Sequence, residues 1–583
     1  NLGASTVGGN LSATATTGNM EDSGVLTIAG TSSFTTSANN ADITLDSTNV
    51  LTGAVALNTT GSSGNAIVDN GTTALNIATS SVGGNLTLTS GNASGIIDSG
   101  TVTVGGNLVA TTDANNGLIN LNQLAVSSDI YFTTHGTGNA TGVNASTFNF
   151  GSNGSSMTVG GNLSVTSTTG NIQNGWGGAT HTVAGTTTLT TSANNATITL
   201  NANTFTGAVS LNTTGASGHA TIDNGTTALD IAASSVGGRL TLRSGNSITD
   251  SGTVTVGNFL TVTTDANNGM INLDTLAVSS HGILLSTHGT GNATLVNNAG
   301  LMTRNGSAVG GNLSATAITG NITQWGALSV TGTSSYTTNA NNADIVLINQ
   351  NNAFTGAVSL NTTGSTGHAT IDNGTTALNI AVSSVGGNLT LTSGHASGIT
   401  DSGTVTVGGN LAATTDANNG VINLGTLAVD GTVALTTNGS GNATVVNDAG
   451  LNFAASTVGG NLIATATTGN MTDSGALAIS GTSSFTTSAS GADITLDTTT
   501  NAFTGAVALN TTGSQWDNES ERGDATIDGG TTALDIAAST VGGILTLRSG
   551  NASGITDSGT VTVGNWLVAT TDANNGVINL GTL

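Results

Sequence analysis

Side chains able to do chemistry are sparse in this 583-residue chain, and they are densest between residues 515 and 524. That stretch holds Trp516, Glu519, Glu521 and the tripeptide Arg522-Gly523-Asp524, while the only other glutamate is Glu21. Arg-Gly-Asp is a tripeptide that integrin receptors read. Twelve residue steps separate Gly513 from Ala525, against five between Gly364 and Ala369 in a matching stretch, so seven residues are inserted. An insertion of this kind is expected to protrude as a loop, and loops concentrate recognition residues. Trp516, Arg522, Gly523 and Asp524 are therefore the candidate binding residues. The competing reading is a decorated surface loop whose three letters arose by chance in glycine-rich sequence.

The other reactive groups point away from a catalytic centre. Aspartates recur at Asp69, Asp98 and Asp113, and calcium sites use several carboxylates among six to eight oxygens. Most of these aspartates precede or lie near Asn, Ser or Gly, where Asp is a turn former. The Gly-Gly-x-Gly-x-Asp nonapeptide of calcium-binding β-rolls is absent. No metal site or cofactor is expected, with calcium as the reserve reading. His219 and His368 hold the same repeat position 149 residues apart, too far for one coordination shell. A lyase or hydrolase needs a placed base or paired carboxylates, and near-identical repetition leaves nowhere unique for them. The expectation is a protein without catalytic activity. Thr-x-Thr rows such as Thr14-Ala15-Thr16 are too interrupted for an ice-binding face. Asn-x-Ser/Thr sequons such as Asn58 and Asn85 follow from composition, and sugar attachment stays open.

What positions these residues is a repeat. Val-Gly-Gly-Asn-Leu begins at Val7, Val159, Val309 and Val458, at intervals of 152, 150 and 149 residues. Asp-Ser-Gly-Thr-Val-Thr-Val begins in phase at Asp98, Asp250, Asp401 and Asp557. Fixed-period self-similarity signals a repeat architecture. The sequence predicts one continuous solenoid over residues 1–583, in four units: 4–154, 155–305, 306–454 and 455–583. Each unit divides into six pieces of similar length, the first being Val7 to Ile28 and the last Ser127 to Phe150.

Within each piece, short stretches alternate apolar and polar residues, as in Leu86-Thr87-Leu88-Thr89, and a period of two marks strands. Turns rich in Gly and Asn separate them. No segment has a helical period. The predicted fold is all-β, a parallel β-helix with about 25 residues per coil, within the range of solenoid repeats. Absence of proline agrees, because almost every strand in such a fold is central and needs its N–H. Aromatic residues are 3% of the chain, which fits a narrow interior. A string of β-sandwich domains would need linkers and core Trp or Tyr, and neither pattern is present.

Composition narrows the partners. Acidic residues number 30 against five basic ones, all arginine, for a formal net charge of −25. Such a chain is a poor ligand for nucleic-acid phosphates and is repelled by anionic lipid surfaces. No apolar run approaches the roughly 20 residues of a membrane helix. Cysteine is absent, so there is no disulfide or thiolate metal site. Both ends stop inside a repeat, so the expectation is that further coils or a second subunit cover them.

The phrases Val-Gly-Gly-Asn-Leu-Thr-Leu-Thr-Ser at Val82 to Ser90 and Val-Asn-Asn-Ala-Gly-Leu at Val296 to Leu301 resemble the repeat regions of filamentous-haemagglutinin-like adhesins. These are exoproteins of bacterial two-partner secretion, and autotransporter passengers look similar. The likeness covers essentially the whole chain and is one of style rather than of a diagnostic motif. It implies a right-handed β-helical stalk, extracellular or at the bacterial cell surface. The function it implies is adhesion, aggregation or biofilm formation through multivalent contacts with other copies, neighbouring cells or matrix. The alternative is a module that binds a host receptor or polysaccharide through residues 515–524.

Overall fold

The computed structural model describes residues 1–151, 154–175, 179–513 and 521–581. The fold is all-β, a solenoid of about 26 turns of roughly 22 residues each, with every described strand pairing parallel to its neighbours. The chain divides into two compact units, Asn1–Gly291 and Asn292–Leu583, built on the same plan.

The turns are shorter and more numerous than the phrase spacing suggests. From Leu11 the paired residues step to Ser32, Val55 and Ile77. From Leu75, in the same strand as Ile77, they step to Ile96, Ile119, Ala140 and Leu163. Leu163 occupies the place in the second copy that Leu11 occupies in the first. One copy is therefore seven turns rather than the six expected, and each turn is correspondingly shorter.

Seven is odd, and this explains the discrepancy. The turns contribute strands to two large sheets, with alternate side chains buried between them, and the first turns add a third, short sheet of Ser5–Val7, Leu26–Ile28 and Val50–Leu51. The Val-Gly-Gly phrase also recurs half a copy later, at Val82, Val236, Val385 and Val541. In unit 1 the leucines that follow it, Leu11 and Leu163, lie in one sheet, and Leu86 and Leu240 in the other. In unit 2, Leu313 and Leu462 share one sheet, Leu389 and Leu545 the other. The elementary unit is thus about half a copy, three and a half turns, and it changes sheet each time it recurs. Phrase spacing cannot count turns when a phrase returns on the opposite side.

A buried serine marks most of these changes. The strand Val55–Thr60 pairs with two short strands, Leu75–Ile77 and Ser80–Val82, and the register slips between them. The Leu57 N–H there donates to Ser80 Oγ at 3.0 Å, and Ser80 Oγ donates to the Ala78 carbonyl at 2.8 Å. Ser234, Ser383, Ser456 and Ser539 repeat both bonds. A backbone donor stranded by the slip would cost about 1–3 kcal/mol if left unpaired, so this serine keeps the switch stable.

The core is Leu, Ile, Val and Ala at alternate strand positions. The interior is wider than the low aromatic content suggests. Phe34, Phe132, Phe148, Phe150, Phe205, Phe354, Phe453, Phe485 and Phe503 are all buried, as is Tyr336. Phe485 meets Phe453 and Phe503 edge-on, with centroids 6.4 and 5.9 Å apart. Corners are made by Asn at positive φ: Asn40 at 59°, Asn116 at 66° and Asn342 at 61°. A buried threonine clasps most of these turns, as when Thr36 Oγ1 donates to the Ala41 carbonyl at 2.9 Å.

Candidate functional site

The seven-residue insertion leaves the solenoid register intact. Ile494 pairs with Ala525 as Ile345 pairs with Ala369. Trp516, and with it the expected protrusion, lies outside the described residues. The tripeptide sits at the edge of the insertion, where the chain rejoins the coil. Arg522 is half-buried, Gly523 is buried at φ 64°, and Asp524 is half-buried. The Asp524 N–H donates to Asp493 Oδ1 at 2.7 Å, and Asp524 Oδ1 accepts the Ile544 N–H at 2.7 Å. Burial pushes the Asp493 carboxyl up; the Asp524 N–H opposes this and the Asp524 charge adds to it.

Asp524 is thereby one rung of a ladder found throughout the molecule. At the same corner in unit 1, the side-chain oxygens of Asn19, Asp42, Asn65, Asn85 and Asn107 each accept an N–H from the next turn. The donors are Asp42, Asn65, Asn85, Asn107 and Asp129, at 2.7 to 3.1 Å. In unit 2 the run is Asn321, Asp344, His368, Asn388 and Asn410. Any side chain with an acceptor of the right reach serves, and His368 and His219 do so through Nδ1, at 2.8 and 2.9 Å. Most of these corner N–H groups are exposed, and the sequence at this position alternates among Asn, Asp and His, each of which offers the acceptor.

The repeated Asp-Ser-Gly aspartates cap the following turn. Asp98 accepts the Asn122 and Gln123 N–H groups at 3.0 and 2.7 Å. Asp250 accepts those of Asp274 and Thr275, both at 2.9 Å, and Asp401 those of Gly425 and Thr426. Both oxygens of each are engaged. Asp69 instead caps its own turn, accepting the Gly71 N–H at 2.8 Å. Among the described residues, no group of three or more His, Cys, Asp or Glu side chains comes together in metal-binding fashion.

One histidine is unlike the others. His181 is buried beside Phe150, with ring centroids 5.6 Å apart, and its Nδ1 accepts the Met157 N–H at 3.1 Å. Burial lowers its pKa from 6.5 to about 4. Its backbone N–H is directed at Asn203 Oδ1, as those of Leu26 and Leu477 are at Asn49 and Asn501, so it occupies a core leucine position.

A second cluster, in unit 2, carries no motif in the sequence. Trp325 is 66% exposed, and the Arg304 guanidinium lies 4.9 Å from its ring centroid. Together with Asn305, Gly326 and Asn349 they line an open cleft. Arg304 and Trp325 are register partners on adjacent turns. Gln324 Oε1 accepts Asn352 Nδ2 at 2.9 Å and its Nε2 donates to Asn352 Oδ1 at 2.8 Å, which fixes the strand end that carries the indole. The available signal was local: Ile322-Thr323-Gln324-Trp325-Gly326 stands where the fourth copy has Met471-Thr472-Asp473-Ser474-Gly475.

No curated protein and no solved structure matches the chain. The family described as repeats of unknown function (DUF5649) matches residues 1–58, 63–127, 137–212, 217–285, 290–361, 366–422 and 440–510. Successive matches begin 62 to 80 residues apart, about half of one copy, so the family's repeat is the half-copy. The matches together cover most of the chain, which therefore belongs to this family of repeats.

Proposed function

We propose that the chain is a structural stalk of an extracellular bacterial adhesin, resembling the filamentous-haemagglutinin type, which acts at the cell surface in adhesion, aggregation or biofilm formation. The observation that supports this most is where the polar side chains go. Ladder asparagines, capping aspartates and seam serines are engaged in holding one turn to the next. Such a molecule supplies length, stiffness and many near-identical surface positions, whose weak contacts add by avidity. Its acidity keeps the surface soluble. The reading needs no catalytic group and no cofactor.

The test is display of the chain on a non-aggregating bacterial host, with settling rate and retention on a surface as readouts. The expected result is faster settling and greater retention, both growing with the number of copies displayed. Hosts that settle and wash off as the bare strain does, despite confirmed surface display, would overturn the proposal.

A further inference from the structure

Three linked substitutions separate the third copy from the fourth along one line of the surface. By register, Arg304 stands where the fourth copy has Ala454, and Trp325 where it has Ser474. On the next turn, Ile348 stands where it has Asp497. Beneath them Gln324 replaces Asp473. Two carboxylates have gone, a guanidinium has been gained, and two apolar groups have been placed in water, Trp325 at 66% and Ile348 at 56% exposure. The first copy resembles the fourth here, with Gly3, Ser23 and Asp46. In a chain of net charge −25 carrying five arginines, a turn that loses its acids and gains a cation is a marked local reversal.

We infer that Arg304, Trp325, Asn305 and Asn349 form a binding subsite for the terminal acidic sugar of a glycan, a pyranose bearing one carboxylate. An exposed indole offers a flat apolar face to the C–H face of a sugar ring, with the polar edge of the ligand left wet. The planar guanidinium matches a carboxylate in a paired hydrogen-bond geometry. The two asparagine amides on the cleft wall carry donors and acceptors for ring hydroxyls. Gly326 lets the turn after Trp325 lie directly against Asn305, since a Cβ there would collide with it. A single carboxylate is favoured over a polyanion because one arginine faces it, while the remaining charges of a polyanion would meet an acidic surface. This site does not depend on the stalk reading, and either could stand alone.

The whole chain is titrated by saturation-transfer NMR and calorimetry with sialyllactose, with a glucuronosyl-terminated disaccharide, and with lactose as the neutral control. The two acidic probes distinguish a sialate from a uronate. At least one acidic probe is expected to bind with a Kd of about a millimolar or better, and lactose at least about tenfold more weakly. Trp325→Ser and Arg304→Ala should each weaken the acidic probe about tenfold or more, while Trp566→Ala, on another exposed tryptophan, should not. Both test variants carry side chains that the fourth copy already accommodates at those positions, so folding is preserved. The inference fails if neither acidic probe binds, if lactose binds equally, or if the two variants bind like the parent.

Discussion

Residues 301–350 and 451–500 follow the same path and differ in what they hold inside and show outside. Inside, Tyr336 and Phe485 occupy one core position, each paired along the sheet to a leucine, Leu360 or Leu509. Burial pushes the Tyr336 hydroxyl pKa upward, while Phe485 has no polar group to bury. Outside, the third copy carries Arg304, Trp325 and Ile348, and the fourth Ala454, Ser474 and Asp497. The backbone hydrogen bonds are common to both, so the scaffold accepts different outward side chains freely and, inside, exchanges such as Tyr336 for Phe485 and Thr303 for Phe453. Surface chemistry can change in a single copy without cost to the fold.

The largest test of this contrast is in the core. Phe485→Ala should cost about 3–5 kcal/mol, because it removes a ring packed between Phe453 and Phe503 and the solenoid cannot collapse around the gap. Denaturant unfolding of the whole chain measures it, and a loss below about 1 kcal/mol would show the interior to be more plastic than described.

A slightly smaller effect is expected at His181, where the second copy puts an imidazole in place of leucine. Its folded pKa of about 4 lies below the unfolded value of 6.5. Between those values the unfolded chain binds the proton and the folded one does not. Stability is thus complete above pH 6.5 and falls as the pH drops to 4, by up to about 3 kcal/mol. His181→Leu should remove that part of the acid sensitivity, read from unfolding midpoints at pH 7 and pH 4.5. An unchanged pH dependence would mean that the ring is solvated.

The outward difference can be sharpened by transplanting it. Ala454→Arg, Ser474→Trp and Thr498→Asn, with Asp497→Ile to remove the facing carboxylate, should together give the fourth copy a second acidic-sugar subsite, seen as a doubled stoichiometry of the acidic probe in calorimetry. Unchanged stoichiometry would show that the extra residue in the Arg304-Asn305-Gly306 turn is also required. The smallest effect is at Asp473. Burial raises its folded pKa above the usual carboxylate value, opposed by hydrogen bonds from Asn501 and Thr498, with the nearby Asp497 charge raising it further. Above the raised pKa this carboxylate detracts from stability, and the penalty fades as the pH falls towards 3.8. Asp473→Asn should therefore stabilise the chain modestly at pH 7, with the advantage vanishing at low pH in the same unfolding assay.

The fold class was legible because period-two alternation, glycine-asparagine corners and missing proline all follow from parallel coils. The count of turns was not, because Leu11 and Leu86 follow the same phrase yet lie in different sheets. Pattern alone carries no record of which side a strand faces. Among the candidate residues, Asp524 drew notice as part of a tripeptide, while its neighbours show it in the same role as Asn65 and His368. Trp325 is inconspicuous in the sequence because a substitution of equal length leaves the spacing undisturbed, whereas the insertion at 515–524 shifts it. Aligning the copies by register rather than by phrase exposes it at once.

The half-integral number of turns in each elementary unit constrains how a gene for such a protein can grow. Duplicating one such unit would advance everything after it, within the same solenoid, by an extra half revolution. Every outward residue downstream would change sides, and a patch such as that around Trp325 would turn away from its former neighbours. Duplicating two units restores the original bearing. Recombination in steps of two is therefore silent to the surface, and recombination in steps of one rearranges it.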